Sequence, residues 1–537
     1  MHWAERTAVN LGHRGSSHLV TAGITPSGEF HIGHIREILT CDMIVRGCLQ
    51  SGLDAELLFI VDSMDPLRKV YSFLSSDYEK YIGHPLYRIP PPDENGKPIL
   101  DSDSSYAEHF LNPFLDALSQ LGVKLRLSWN HEEYRKGEFE NASRIFLDNR
   151  EEVARILTEV SGRPLDGEWW PYSPIGHDGS FDGISITGWD DPHVTWIDSE
   201  GREGKSHIGT DEGKLPWRLD WPAKWNFHGV TCEPFGKDHA ASGGSYATGR
   251  LLVELLGSKA PHPVPYEWIQ LRGMGPMSSS TNITVGPLEA LEIVPPEILR
   301  YLIARNKPNR HIEFDTGGGL LEMADQYERL LTSWNPNEPP GDDATDRVRT
   351  AWNVDRVKIS MSQTEPDSAS ENVAIDSDSY ISFRHLSMVA QIRSNNQDVW
   401  TSLQTSGLLN GEPNRTLTDR LKRMRNWISS EHFPDEYRIE IQTKLTDDAK
   451  NAFNEGDLNY LTALSEALND CEWKSDEIND NICNLARQNG MDLRNAFVIL
   501  YNIHLGRPHG PRLASVLAEI PRDTVIDALT NAIKSLD

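Results

Sequence analysis

Cysteine is scarce in this 537-residue chain, which carries only Cys41, Cys48, Cys232, Cys471 and Cys483, no two of them at C-x-x-C spacing. That spacing excludes a disulfide framework and a thiolate zinc cluster, and suits free thiols in a reducing compartment. Long apolar runs are missing too: none approaches the roughly 20 residues that a membrane-crossing helix needs. The opening Met1-His2-Trp3-Ala4-Glu5-Arg6 lacks the basic-then-apolar layout of a signal peptide. The expectation is a cytoplasmic protein with no membrane partner. Positive charge is also short, with 52 Lys and Arg against 80 Asp and Glu and a net charge of −28. Indiscriminate nucleic-acid binding needs clustered cations and is disfavoured, although an acidic protein can still carry a local basic face. No internal repeat is visible.

What is present is enough apolar residue for several cores, 38% of the chain, at a length that implies two to four domains. Ser17 to Ile24 reads as a short buried strand, Thr25-Pro26-Ser27-Gly28 as a turn, and His31 to Gln50 as a helix with Ile35, Ile38, Leu39 and Met43 at helical spacing. A second strand follows at Ala55 to Val61. Strand, turn, helix, strand opens a nucleotide-binding α/β unit. Residues 170–213 read as a β-rich insertion in which Ile184, Ile186, Val194, Trp196 and Ile197 supply the core. Asn335 to Asp343 reads as a linker and Gln363 to Ser379 as a mobile polar loop; from Tyr380 onward the periodicity is helical.

Four segments carry chemistry. In Thr25-Pro26-Ser27-Gly28-Glu29-Phe30-His31-Ile32-Gly33-His34 two histidines sit where a helix start leaves free backbone N–H groups, an anion site. His31 and His34 suit stabilisation of a charged phosphoryl transition state, and Gly33 suits close approach of ATP. In Lys214-Leu215-Pro216-Trp217-Arg218-Leu219-Asp220-Trp221, the aromatic Trp217 and the carboxylate Asp220 suit a substrate with an aliphatic stem and a terminal ammonium. The third is Gly236-Lys237-Asp238-His239, and the fourth Met274-Gly275-Pro276-Met277-Ser278-Ser279-Ser280-Thr281. Each alone is also the sequence of an ordinary helix start, core segment or turn; their order and separation are what distinguish them.

Taken together the four resemble the class I lysyl-tRNA synthetases, found mainly in archaea, over at least residues 1 to 315 and more weakly beyond. The resemblance implies a Rossmann-like class I synthetase catalytic domain over residues 1–315, with the β-rich insertion inside it. Stem helices and a linker follow at 316–380, then an all-α anticodon-binding region at 381–537. It implies a monomeric lysine–tRNA ligase that joins L-lysine and ATP, with Mg²⁺ on the phosphates, into lysyl-adenylate. The lysyl group then passes to tRNA(Lys). His31 and His34 become the catalytic pair. Gly33, Gly236, Asp238, Met277, Ser278, Ser279 and Ser280 fall on the ATP side; Gly23, Thr25, Trp217, His239 and Tyr266, with Asp220 as the acid, fall on the lysine side. For tRNA, Trp400, Trp427 and the run Arg420-Leu421-Lys422-Arg423-Met424-Arg425 are the candidates.

Two departures from that family stand out. The insertion has none of the paired cysteines that hold zinc in many members, so no structural zinc is expected; His177, His193 and His207 read as surface residues. The K-M-S-K-S-like loop has Pro276, Ser279 and Thr281 where lysines are common. An inactive or slow paralogue that still binds tRNA is therefore one alternative, and a small-molecule nucleotidyltransferase with the same histidine pair another.

Overall fold

The computed structural model describes residues 1–162, 164–165, 167–272, 275–276, 285–365, 381–442 and 457–535. These fall into two compact units, one drawn from residues 1–291, 296–314 and 334–365, the other from 292–295, 315–333 and 381–535.

The first unit opens with α1 (Trp3–Gly12), β1 (Ser17–Ile24), α2 (Ile32–Gln50) and β2 (Asp54–Val61). β1 pairs with β2 in parallel along its whole length, Ser17 opposite Asp54 through Ile24 opposite Val61. Its run from His18 to Ala22 is buried throughout, as a strand covered on both faces requires. Next come α3 (Tyr106–Gln120), β3 (Arg126–Trp129), α4 (Asn130–Arg135), α5 (Glu140–Asp148) and α6 (Arg150–Ser161). The insertion contributes β4 (Ser173–Pro174), β5 (Ser185–Asp190), β6 (His193–Ile197), β7 (Glu203–His207) and β8 (Gly213–Lys214). Then α7 (Trp217–His228), β9 (Cys232–Gly236), α8 (Ser245–Leu255) and β10 (His262–Tyr266) return the chain to the main sheet. That sheet runs β10-β9-β1-β2-β3, all parallel. Strand order reverses between β1 and β9, which opens a crevice at the carboxyl ends of the strands.

Strands β5, β6 and β7 form the expected antiparallel insertion sheet. Val194 and Trp196 are buried in it, and Val194 joins a core with Tyr134, Phe139 and Phe146 from the preceding helical region. Ile184, Ile186 and Ile197 are only half-buried, so the helices supply most of the apolar cover. A Cβ at Gly204 would lie 2.2 Å from the Trp196 ring, so glycine there makes room for the indole. With no thiolates in this core, a chelator should leave the melting temperature unchanged and metal analysis should return less than stoichiometric zinc. One tightly held zinc per chain would refute this.

Beyond β10 lie β11 (Ile269–Leu271), β12 (Gly275–Pro276), α9 (Pro287–Ile293), α10 (Pro296–Ala304) and β13 (Ile312–Phe314). The segment 316–380, expected as stem and linker, is divided between the units: α11 (Gly318–Ser333) goes with the second and α12 (Asp346–Ser362) with the first. Buried arginines show why. Arg300 of α10, wholly buried, donates to Met361 O and Leu121 O and pairs with Asp42 at 2.5 Å. Arg46 donates to Gln363 O and Gly122 O. The end of α12 is thus hydrogen-bonded into the first unit. Of the polar run Gln363 to Ser379, residues 366–379 lie outside the described residues.

In the second unit the described residues after 380 are helices and their connections: α13 (Phe383–Ile392), α14 (Asn396–Thr405), α15 (Arg415–Ser429), α16 (Asp457–Asp470), α17 (Ser475–Gln488), α18 (Leu493–Leu505), α19 (Leu513–Glu519) and α20 (Arg522–Lys534). An all-helical C-terminal region is what the periodicity implied.

Candidate active site at the carboxyl edge of the sheet

The turn after β1 delivers two histidines to the start of α2. His31 is the N-cap: its Nδ1 accepts from Gly33 N–H at 3.1 Å, while Nδ1 of His34 accepts from His31 N–H at 3.1 Å. Two backbone donors left free at any helix start are thereby satisfied by imidazoles. The rings lie 4.0 Å apart, with Phe30 5.0 Å from His34 and stacked on Phe114 at 4.3 Å. Burial lowers His31 to about 4; burial and then the neighbouring His31 lower His34 to about 3. Both rings are neutral near pH 7. With Nδ1 used as acceptor, the proton sits on Nε2, an assignment that follows from the backbone donors. A Cβ at Gly33 would lie 2.6 Å from His31 Cε1. Glycine is needed there first for the histidine cap, and only then for ligand approach.

The other expected residues gather around the β1/β9 crevice. Gly23 is exposed near the end of β1, and Thr25 donates to Asp65 Oδ2 at 2.7 Å. Tyr266, at the end of β10, donates its hydroxyl to Glu37 Oε2 at 2.6 Å, and Gly23 N–H donates to Glu37 Oε1 at 3.3 Å. Trp217 is 41% exposed at the start of α7, with its ring 6.0 Å from that of His239, whose Nδ1 meets Ser245 Oγ at 2.6 Å. Gly236 ends β9 with open space where a Cβ would stand, and Asp238 is exposed just beyond. Met277, Ser278, Ser279 and Ser280 lie outside the described residues.

Two sequence expectations are corrected. Asp220 is 2% exposed, accepts from the Tyr134 hydroxyl at 2.6 Å and pairs with Lys224 at 2.7 Å. Lys224 also pairs with Asp62, and Lys214 pairs with Asp65 at 2.5 Å. Burial works against charge on Lys224, but Asp220 and Asp62 outweigh it and raise its pKa. Asp220 is therefore spent inside a buried ion network beneath the crevice. The second correction concerns tRNA. Trp400 and Trp427 are 7% and 0% exposed, Trp427 donating to Thr316 O at 2.7 Å. Arg420 and Arg423 are buried, Arg423 pairing with Asp419 at 2.6 Å, and Arg425 donates to Asn396 Oδ1, Ala390 O and Arg393 O. These are packing residues of the second unit, and Lys422 alone of the cluster's cations is exposed.

A further acid at the end of β1, one that sequence reasoning did not name, is Glu37. Burial raises its carboxyl to about 7, although Tyr266 and Gly23 both donate to it. Its place three residues after His34, on the same face of α2, was a readable signal.

A parallel sheet with a crevice at its switch point, entered by a helix capped with two histidines, is the catalytic unit of a class I synthetase. The chain belongs to the family described as tRNA synthetases class I (K), whose model matches residues 1–358, and an anticodon binding domain matches residues 412–533. The chain is 36% identical to a lysine–tRNA ligase of Archaeoglobus fulgidus, across 99% of this chain and 100% of that one. It is 34% identical to the lysine–tRNA ligase of Picrophilus torridus over 98% of both chains, and 35% identical to that of Methanocaldococcus jannaschii over 98% and 99%.

Proposed function

We propose that the protein is a lysine–tRNA ligase in which Glu37 receives the ε-ammonium of the substrate. The observation that carries this is a partly exposed carboxylate held at the crevice by Tyr266 and Gly23. A fixed acid between the ends of β1 and β10 matches a terminal ammonium, and the full-length likeness to lysine–tRNA ligases supports the same substrate.

The lysine carboxylate attacks the α-phosphate of ATP, which enters with Mg²⁺ on its phosphates, and pyrophosphate leaves. Among the described residues no group of three His, Cys, Asp or Glu is placed to hold a metal, in keeping with Mg²⁺ arriving as part of the substrate. His31 and His34 donate from Nε2 to the charge that develops on the phosphoryl oxygens. Gly236 and Asp238 hold the adenosine, and residues 277–280 take the remaining phosphates. The lysyl group then passes to the terminal adenosine of tRNA(Lys), first to its 2′-hydroxyl, while the helical second unit takes the anticodon.

Lysine-dependent ATP–pyrophosphate exchange, run beside arginine, glutamate and glutamine and followed by tRNA charging, tests the assignment. Stronger exchange with any other amino acid would overturn it. Glu37→Gln should raise the lysine KM by about tenfold to a hundredfold, the worth of one hydrogen bond to a charged group. Lysine binding needs the ionised carboxylate, so kcat/KM for lysine should fall as pH drops through about 7. A flat profile between pH 6 and 8 would remove Glu37 from this role.

A further inference from the structure

Beyond His239 the chain reads Ala240-Ala241-Ser242-Gly243-Gly244, a turn that the binding of lysine and ATP leaves unexplained. It folds back so that Ser245, the first residue of α8, meets His239. Both glycines are needed for this. Gly243 has φ 75°, in the left-handed region, and a Cβ there would lie 2.8 Å from Val160 O. A Cβ on Gly244 would lie 2.5 Å from His239 O and 2.7 Å from Ala241 O. Ser245 is 4% exposed, and its Oγ lies 2.6 Å from His239 Nδ1. Three aromatic rings pack around the imidazole: Trp221 at 5.5 Å between centroids, Trp217 at 6.0 Å and Phe235 at 6.3 Å. Trp221 is itself fixed, its Nε1 donating to the buried Glu233 at 2.9 Å.

Hydrogen-bond accounting places the imidazole proton. The Ser245 hydroxyl has no other partner among the described residues, so its O–H donates to Nδ1. The ring proton then sits on Nε2, which makes no hydrogen bond among the described residues and is not enclosed. Burial holds the ring's pKa below the usual histidine value, although Asp238 pulls it up, so the ring is neutral near pH 7. His239 follows Asp238, on the nucleotide side, and packs beside Trp217, on the lysine side. In lysyl-adenylate the acyl–phosphate link joins those two sides. We propose that Ser245 is a positioning residue: it locks His239 with Nε2–H toward the acyl oxygen of lysyl-adenylate, where negative charge forms during transfer to tRNA. The proposal rests on the lysine–tRNA ligase reading above. In that step the 2′-oxygen bonds to the acyl carbon, and the carbonyl oxygen takes up negative charge. The acyl bond to AMP then breaks, and the hydroxyl proton passes to the departing phosphate. Adenylate formation builds its charge on phosphoryl oxygens instead, so a donor at the acyl oxygen favours transfer selectively.

In the full chain, Ser245→Ala should slow single-turnover transfer from preformed lysyl-adenylate about tenfold, and adenylate formation by much less. Ser245→Thr, which restores the hydroxyl, should recover most of the transfer rate. His239→Gln keeps a donor near the Nε2 position and has no tautomer to set, so adding Ser245→Ala to it should cost little more. A merely structural serine would slow both steps alike, and its loss would add in full to that of His239→Gln. Either result overturns the proposal, as does normal transfer by Ser245→Ala. Should Ser245→Ala fail to fold, nitrogen NMR of labelled histidine in the parent decides, with His239→Gln assigning the signal. Protonated Nε2 with bare Nδ1 is expected, and protonated Nδ1 overturns the proposal. Failure of the lysine assignment shows separately, as a parent without lysine-dependent pyrophosphate exchange.

Discussion

Alanine at His34 is expected to slow lysyl-adenylate formation in single turnover by about 10²–10³, with ATP affinity little changed. The reason is geometric. Nδ1 of each histidine is occupied by a backbone N–H, so only Nε2–H is left to face the phosphoryl oxygens. A donor fixed in advance acts most on charge that appears only in the transition state. The same geometry predicts that the histidines add no inflection to the pH dependence of the single-turnover rate. With the two rings lowered to about 4 and 3, no inflection from either should appear near the usual histidine value of about 6.5. His31 also caps the helix, so His31→Ala combines a lost donor with a cap loss of about 1 kcal/mol. His31→Asn restores the cap alone. If His31→Asn recovers stability but not rate, the two roles are separate; if ATP binding collapses while the single-turnover rate survives, the histidines are ground-state ligands.

Replacing Lys224 with methionine should cost about 3–5 kcal/mol of stability, the usual consequence of stranding buried charge. Lys224 is 4% exposed and sits between Asp62 and Asp220. Methionine fills a similar volume but leaves Asp62 without its paired cation and Asp220 with Lys214 alone, at 3.9 Å. Urea denaturation reads the loss directly. The double variant Lys224→Met with Asp220→Asn should recover part of it, because the coupling of contacting charges is not additive. A loss below about 1 kcal/mol for the single variant would mean that water reaches the network.

How much of this was legible follows residue by residue. The segment from Ser17 to Val61 was read almost to its ends, because a doubly covered strand is a continuous apolar run and the histidine pair marks the helix start. Asp220 and the arginines around Arg423 were misjudged for one physical reason: residue type gives charge but not burial, and here Lys224 holds Asp220, Asp419 holds Arg423, and backbone carbonyls and Asn396 hold Arg425. Glu37 was missed for another reason, since its partner Tyr266 lies 229 residues away. The resemblance implied stem helices and a linker at 316–380 without saying which unit each helix joins, and its two helices belong to different units.

That interleaving has a consequence for biosynthesis. The first unit needs the end of α12, held through Arg300 and Arg46, yet the ribosome delivers α11 of the second unit before it. At about 5–20 residues per second, the nascent sheet waits for seconds with the seat of α12 uncovered, while a helix that belongs elsewhere has already emerged. Vectorial synthesis thus gives this chain no moment at which one unit is finished before the other is begun.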